Sequence, residues 1–236
     1  MTPAPRTIGQ GQPLSDAREL MRTLRIRHLP VLDGQKLVGL VSERDLRAFG
    51  EPEPRALVTT AGGKIWSNGL DLDWLSQNQD QVQPFVDQVH ELLAQFLAAP
   101  VPTVAAIQGH CFAAGAMLAL AHDWRVMRAD RGFFCLPEAD INIPFTPGMS
   151  ALIQSRLTPA AAGSAMVGAK RFGGEEAAGL GIVDAAVPED QVVAQAVELA
   201  GAHAAKLGGT LATIKARMYA PALATLRDAQ ANKLFP

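Results

Sequence analysis

Cysteine is nearly absent: Cys111 and Cys135 are the only two in 236 residues, and both stand in apolar runs. That argues against a disulfide framework and leaves any thiolate metal site short of ligands. Two buried thiols in a reducing compartment are expected, and no metal. Charge is sparse as well. Asp, Glu, Lys and Arg make up 19% of the chain and the formal net charge is −2. There is no electrostatic footprint for nucleic acid or an anionic membrane, and neither is expected as a partner. No run of about 18 apolar residues occurs, and Met1-Thr2-Pro3-Ala4-Pro5-Arg6-Thr7 lacks the apolar stretch of a signal peptide; a folded cytoplasmic protein is expected. What is plentiful is apolar surface. With 48% hydrophobic residues, the chain can fill the core of one large domain, or of a medium domain with a small partner.

Residues 1–50 read differently from the rest. In Leu14-Ser15-Asp16-Ala17-Arg18-Glu19-Leu20-Met21-Arg22-Thr23-Leu24, Ser15 is placed as an N-cap and apolar residues fall at 17, 20, 21 and 24, the spacing of an amphipathic helix. His28-Leu29-Pro30-Val31-Leu32 and Lys36-Leu37-Val38-Gly39-Leu40-Val41 flank Asp33-Gly34-Gln35, a hairpin with a short turn. A second helix is expected from Ser42 through Glu43-Arg44-Asp45-Leu46-Arg47. This order, together with Arg27-His28-Leu29-Pro30-Val31 and Gly39-Leu40-Val41-Ser42-Glu43-Arg44-Asp45, resembles one CBS motif over about residues 12–49. The resemblance implies a small α/β unit of a kind that pairs to bind adenine nucleotides, with Ser42 and Asp45 as the nucleotide contacts. A plainer reading needs no ligand: Ser42 caps its helix and Asp45 favours the positive helix end.

Glu51-Pro52-Glu53-Pro54 interrupts any helix and reads as a junction. Beyond it a strand is expected over residues 55–60, turning at Gly62-Gly63, and then a helix over 81–98 with apolar residues at 82, 85, 86, 89, 92, 93, 96 and 97. A short β-branched strand over 101–107 precedes an almost wholly apolar helix over 113–122 that must be buried. Strand and helix alternate on through 123–127, 160–169, 181–187 and 189–206, an α/β pattern.

Three short segments carry the chemistry. In Trp66-Ser67-Asn68-Gly69-Leu70-Asp71, Gly69 allows a tight turn and close approach of a ligand, which frees the amide of Leu70. Gly109-His110-Cys111-Phe112-Ala113-Ala114-Gly115 sets small side chains at the start of the buried helix, where unpaired amides and the helix dipole favour negative charge. Phe133-Phe134-Cys135-Leu136-Pro137-Glu138-Ala139-Asp140 holds a carboxylate in apolar surroundings that raise its pKa and ready it to take and return a proton. Backbone donors beside one carboxylate can hold an oxygen as it gains negative charge while the carboxylate moves a proton.

In order and spacing these segments resemble the active site of the crotonase superfamily, over about residues 55–220. The resemblance implies an α/β fold, the ββα spiral without its usual N-terminal strands. It also implies a coenzyme A thioester as substrate, no cofactor, and a homo-oligomer, trimer or hexamer, built through C-terminal helices. It puts the oxyanion amides on Leu70 and Ala114, the proton-carrying carboxylate on Glu138, and substrate contacts on Ser67, Asn68, Gly69, Asp71, Gly115 and Met117. Hydratases of the superfamily use two glutamates, and where the first would align this chain has Met117, which cannot exchange a proton. Ser67-Asn68-Gly69-Leu70-Asp71-Leu72, His122-Asp123, Met127-Arg128-Ala129-Asp130-Arg131-Gly132 and Glu138-Ala139-Asp140-Ile141 are most similar to the Δ3,Δ2-enoyl-CoA isomerase branch. Isomerisation of a 3-enoyl to a 2-enoyl thioester is thus the leading expectation. The alternatives are an adenine-nucleotide-sensing CBS protein with an inactive crotonase remnant, or another acyl-CoA hydratase or hydrolase.

The expected organisation is a CBS-like unit over 1–50, a junction over 51–54 and a crotonase-like domain with C-terminal helices over 55–236. Asp71 reads as fixing its own loop more readily than as a base, and His110 and His122 read as structural. Asp140 either bonds an amide near Glu138 or tunes its charge. Lys215 and Lys233 are solvated, or reach the coenzyme A phosphates as C-terminal lysines of the family sometimes do.

Overall fold

The computed structural model describes residues 7–12, 14–24, 26, 28–34, 36–42 and 55–233. The chain divides into two compact units, Met1–Pro54 and Arg55–Pro236. The first contains β1 (Ile8–Gly9), α1 (Leu14–Leu24), β2 (His28–Asp33) and β3 (Lys36–Ser42). β2 lies in the middle, parallel to β1 and antiparallel to β3. Gly34 turns the hairpin at φ 60, a left-handed conformation open to a residue without Cβ. Ala17 and Met21, one helical turn apart on α1, bury against Ile8 and Leu29. Ser42 closes β3 opposite His28, in the extended conformation an N-cap takes. Its side chain, Asp45 and the helix expected there lie outside the described residues.

The second unit is a spiral whose turns each lay one strand in a larger sheet, one in a smaller sheet, and then helix. The first turn is β4 (Leu57–Thr59), β5 (Ile65–Ser67), α2 (Leu72–Gln77) and α3 (Val82–Leu97). The second is β6 (Thr103–Ile107), β7 (His110–Phe112) and α4 (Ala114–Ala121). The third is β8 (Trp124–Arg128), β9 (Phe134–Cys135), α5 (Pro147–Arg156) and α6 (Pro159–Met166). After α7 (Gly174–Gly179), β10 (Ala185–Val187) completes the larger sheet, and α8 (Val192–His203), α9 (Gly209–Met218) and α10 (Ala220–Leu226) follow. The sheets run β10-β8-β6-β4 and β5-β7-β9, parallel throughout.

Composition explains the layering. β6 is buried at every residue, as a central parallel strand covered on both faces must be. α4 is apolar on all sides and lies in the interior against α3 and α5. The strand expected over 181–187 shortens to β10, because Gly181 turns the chain at φ 70. α5 and α6 begin at Thr-Pro pairs, where the hydroxyls of Thr146 and Thr158 accept the amides of Met149 and Ala161. Where the chain passes from the larger to the smaller sheet, successive turns touch backbone to backbone. A Cβ on Gly109 would strike the carbonyl of Lys64, and one on Gly132 would lie 2.8 Å from the carbonyl carbon of Gly109.

Candidate active site

The loop after β5 rests on the start of α4, and two glycines make that contact. Gly69 has φ 85, and a Cβ there would lie 2.8 Å from the amide nitrogen of Ala114. A Cβ on Gly115 would lie 2.5 Å from the Cβ and Oγ of Ser67. The amides of Leu70 and Ala114 are thereby brought to one place. Among the described residues nothing accepts the Leu70 N–H, and Ala114, as the first residue of its helix, has no partner within it. Ala113 makes the turn into α4 at φ 52 and ψ −128, a conformation that costs a residue with a Cβ about 1–3 kcal/mol. It is held from both sides, its N–H donating to Cys135 O at 3.0 Å and its carbonyl accepting the Met117 N–H at 3.1 Å.

Leu70 and Ala114 border a cavity of about 240 Å³ whose wall also includes Asn68, Phe112, Met117, Glu138, Ile141, Ile143 and Met149. Glu138 is the one ionisable side chain among the described residues lining it. It sits on a 3₁₀ turn, Pro137–Ala139, only 5% exposed, with Oε2 buried and bonded to nothing. Burial pushes its pKa up from 4.5 to about 7, against a smaller pull from its own backbone amide. A carboxyl so placed changes charge near neutrality.

Ser67, Gly69 and Gly115 face a more open groove on the other side of Leu70 and Ala114, lined further by Phe85, Gln88 and Leu92. Asp71 borders neither space; its Oδ1 accepts the Trp74 N–H at 2.9 Å and caps α2. Asp140 is exposed and its carboxylate bonds no amide among the described residues. Lys215 needs correction, being neither solvated nor available to a phosphate. It is 4% exposed, with Nζ 2.6 Å from Asp123 Oδ2 and 2.9 Å from Val101 O. Lys233 is exposed. His122 is buried between Thr59 Oγ1 at 2.9 Å and Leu118 O at 2.8 Å. His110 lies against the rings of Phe112 and Phe133. The apolar wall from Leu72, Leu75, Ile143, Pro144 and Met149 was not foreseen. Only the Leu72 and Leu75 spacing behind a capping Asp71 offers a local sign of it.

Residues 46–234 match the family model described as enoyl-CoA hydratase/isomerase. The chain belongs to that family. It is an enzyme of the enoyl-CoA hydratase/isomerase type, with residues 1–51 matching the CBS domain. It is 39% identical over 175 residues to the peroxisomal enoyl-CoA delta isomerase 2 of Arabidopsis thaliana, covering 69% of this chain and 72% of that one. Enoyl-CoA delta isomerase 3 of the same plant is 38% identical over 187 residues, covering 75% and 78%. Among solved structures, the apo enoyl-CoA isomerase of Mycobacterium tuberculosis superposes with a TM-score of 0.69 at 26% identity, covering 97% of this chain and 88% of that one.

Proposed function

We propose that the protein isomerises 3-enoyl-CoA thioesters to 2-enoyl-CoA thioesters, with Glu138 as the only proton carrier. One observation carries this reading: Glu138 is the single ionisable side chain lining the cavity among the described residues. Hydration adds a water across the double bond and calls for a second group to place it; moving the double bond calls for one group that takes a proton and returns it. Carboxylate Glu138 removes a proton from C2, and the negative charge spreads to the thioester oxygen, which accepts the N–H groups of Leu70 and Ala114. The double bond shifts from C3–C4 to C2–C3 as the protonated Glu138 gives the proton to C4. Met117, 1% exposed, fills the place where a water would otherwise stand. Ser67, Asn68, Gly69 and Gly115 shape the approach of the thioester, and Asp71 steadies it through α2. The names of the Arabidopsis relatives agree with this reaction.

The test is incubation with a 3-enoyl-CoA, following the rise of conjugated-thioester absorbance and analysing products by mass spectrometry. A 2-enoyl product is expected, with kcat/KM rising with pH through about 7 as Glu138 ionises. A 3-hydroxyacyl product, or no turnover, would sink the proposal.

A further inference from the structure

α4 is eight residues of alanine, glycine, leucine and methionine without one polar side chain, so its placement is decided at its ends. The C-terminal end is crowded with donors. Arg156, the last residue of α5, gives Nε–H to Leu120 O at 2.8 Å and Nη2 to the carbonyls of His122 at 2.8 Å and Asp123 at 2.9 Å. Its Nη1 donates to the Tyr219 hydroxyl. Arg125 adds a bond from Nη1 to His122 O at 3.1 Å. Leu118 O can only accept, so the His122 Nδ1 beside it carries the proton. Burial pushes the pKa of His122 down to about 4, which leaves it neutral.

The charges at that end do not balance. Asp184 pairs with Arg125 at 3.3 Å, and Asp123 with Lys215 at 2.6 Å. Arg156 has no carboxylate partner among the described residues. One positive charge therefore stands unopposed behind a helix whose other end is the Ala114 amide at the cavity. A cation at a helix C-terminus cancels the negative pole and leaves the positive pole dominant.

We propose that Arg156 is a positioning residue for this enzyme: anchored on carbonyls at the end of α4 and just beyond it, it places a positive charge behind the helix and so strengthens the Ala114 amide as the seat of the enolate oxygen. This rests on the reading that an enolate forms there. Eight residues span about 12 Å, a hydrogen bond at each end brings the two charges to about 18 Å, and over that distance a unit charge changes the stability of an anion about two- to fivefold at an effective dielectric near 20 to 40.

The experiment titrates acetoacetyl-CoA, a thioester that enolises with a near-ultraviolet absorbance and is not isomerised, across pH in the presence of the full chain. Arg156→Lys keeps the charge and gives up most of the carbonyl bonds; Arg156→Met gives up both. The bound ligand should enolise at a pH about 0.3 to 0.7 unit higher with the Met variant, while the Lys variant stays close to wild type, whatever their melting temperatures. If Arg156→Met does not fold, Arg156→Gln keeps donors without charge and carries the same expectation. Equal shifts in the charged and uncharged variants, or no shift in either, overturn the proposal and leave the isomerase reading intact. Wild-type protein that binds the thioester without promoting its enolisation overturns the enolate reading and this inference with it.

Discussion

Glu138 and Asp123 are both carboxylates inside the spiral unit, and their surroundings are opposite. Oδ2 of Asp123 accepts the amide of Thr103 at 2.8 Å, its hydroxyl at 3.0 Å and the Lys215 ammonium at 2.6 Å. Oε2 of Glu138 accepts nothing. The satisfied carboxylate ties β6 to the turn after α4 and to α9, far along the chain. The deprived one is kept close to the point where a proton binds and leaves with equal ease. One scaffold can host many reactions, because the chemistry lives in the site and not in the fold that carries it.

The sharpest way to break this contrast is Glu138→Gln, which keeps the shape but cannot take a proton. Isomerisation of a 3-enoyl thioester should fall by about two to four orders of magnitude, with KM little changed. A variant retaining more than about a tenth of the rate would move the base elsewhere. Asp123→Ala strands Lys215, 4% exposed, as a buried charge and should destabilise the fold by about 3–5 kcal/mol in urea titration. If stability hardly changes, the ion pair is no tie. Met117→Glu puts a second unpartnered carboxyl in the same cavity. It should cost about 2 kcal/mol or more and yield a trace of 3-hydroxyacyl product, measurable by mass spectrometry.

The smallest expected effect concerns Glu138 itself. Its folded pKa of about 7 lies above the ordinary 4.5, so the native state holds the proton more tightly than the unfolded chain. The associated stability is fully present below about pH 4.5, falls as pH rises, and is gone above about pH 7. Glu138→Gln should therefore match wild type near pH 4.5 and exceed it by about 1–2 kcal/mol at pH 8.5, after allowance for solvent screening. Denaturant midpoints at the two pH values decide it.

Some of this was legible in the sequence because its cause is local. Gly69 and Gly115 announce close backbone approach, an apolar run of alanines announces a buried helix, and Glu138 among Phe134, Leu136 and Pro137 announces a carboxyl short of water. Lys215 misled because its partner, Asp123, is 92 residues away, and no spacing rule reports a contact made by the spiral. Ile143, Pro144 and Met149 were missed for a related reason. Ile143 and Pro144 wall the cavity from an irregular stretch before α5, where apolar residues follow neither a strand nor a helix period, and Met149 reaches it from the first turn of α5. α5 itself had a sign in Thr146-Pro147, an N-cap followed by proline at the first helical position.

The glycine corners of the spiral bear on how much the site can drift. Lys64, Gly109 and Gly132 stack main chain on main chain, and Leu70, Ala114 and Glu138 each follow one of them within six residues. The amides of Leu70 and Ala114 and the carboxyl of Glu138 are thus referenced to a single column of peptide groups, assembled like machine parts without shims. Side chains elsewhere in the core can change size, and the spacing of the three corners that carry these groups is still set by the thickness of the backbone itself.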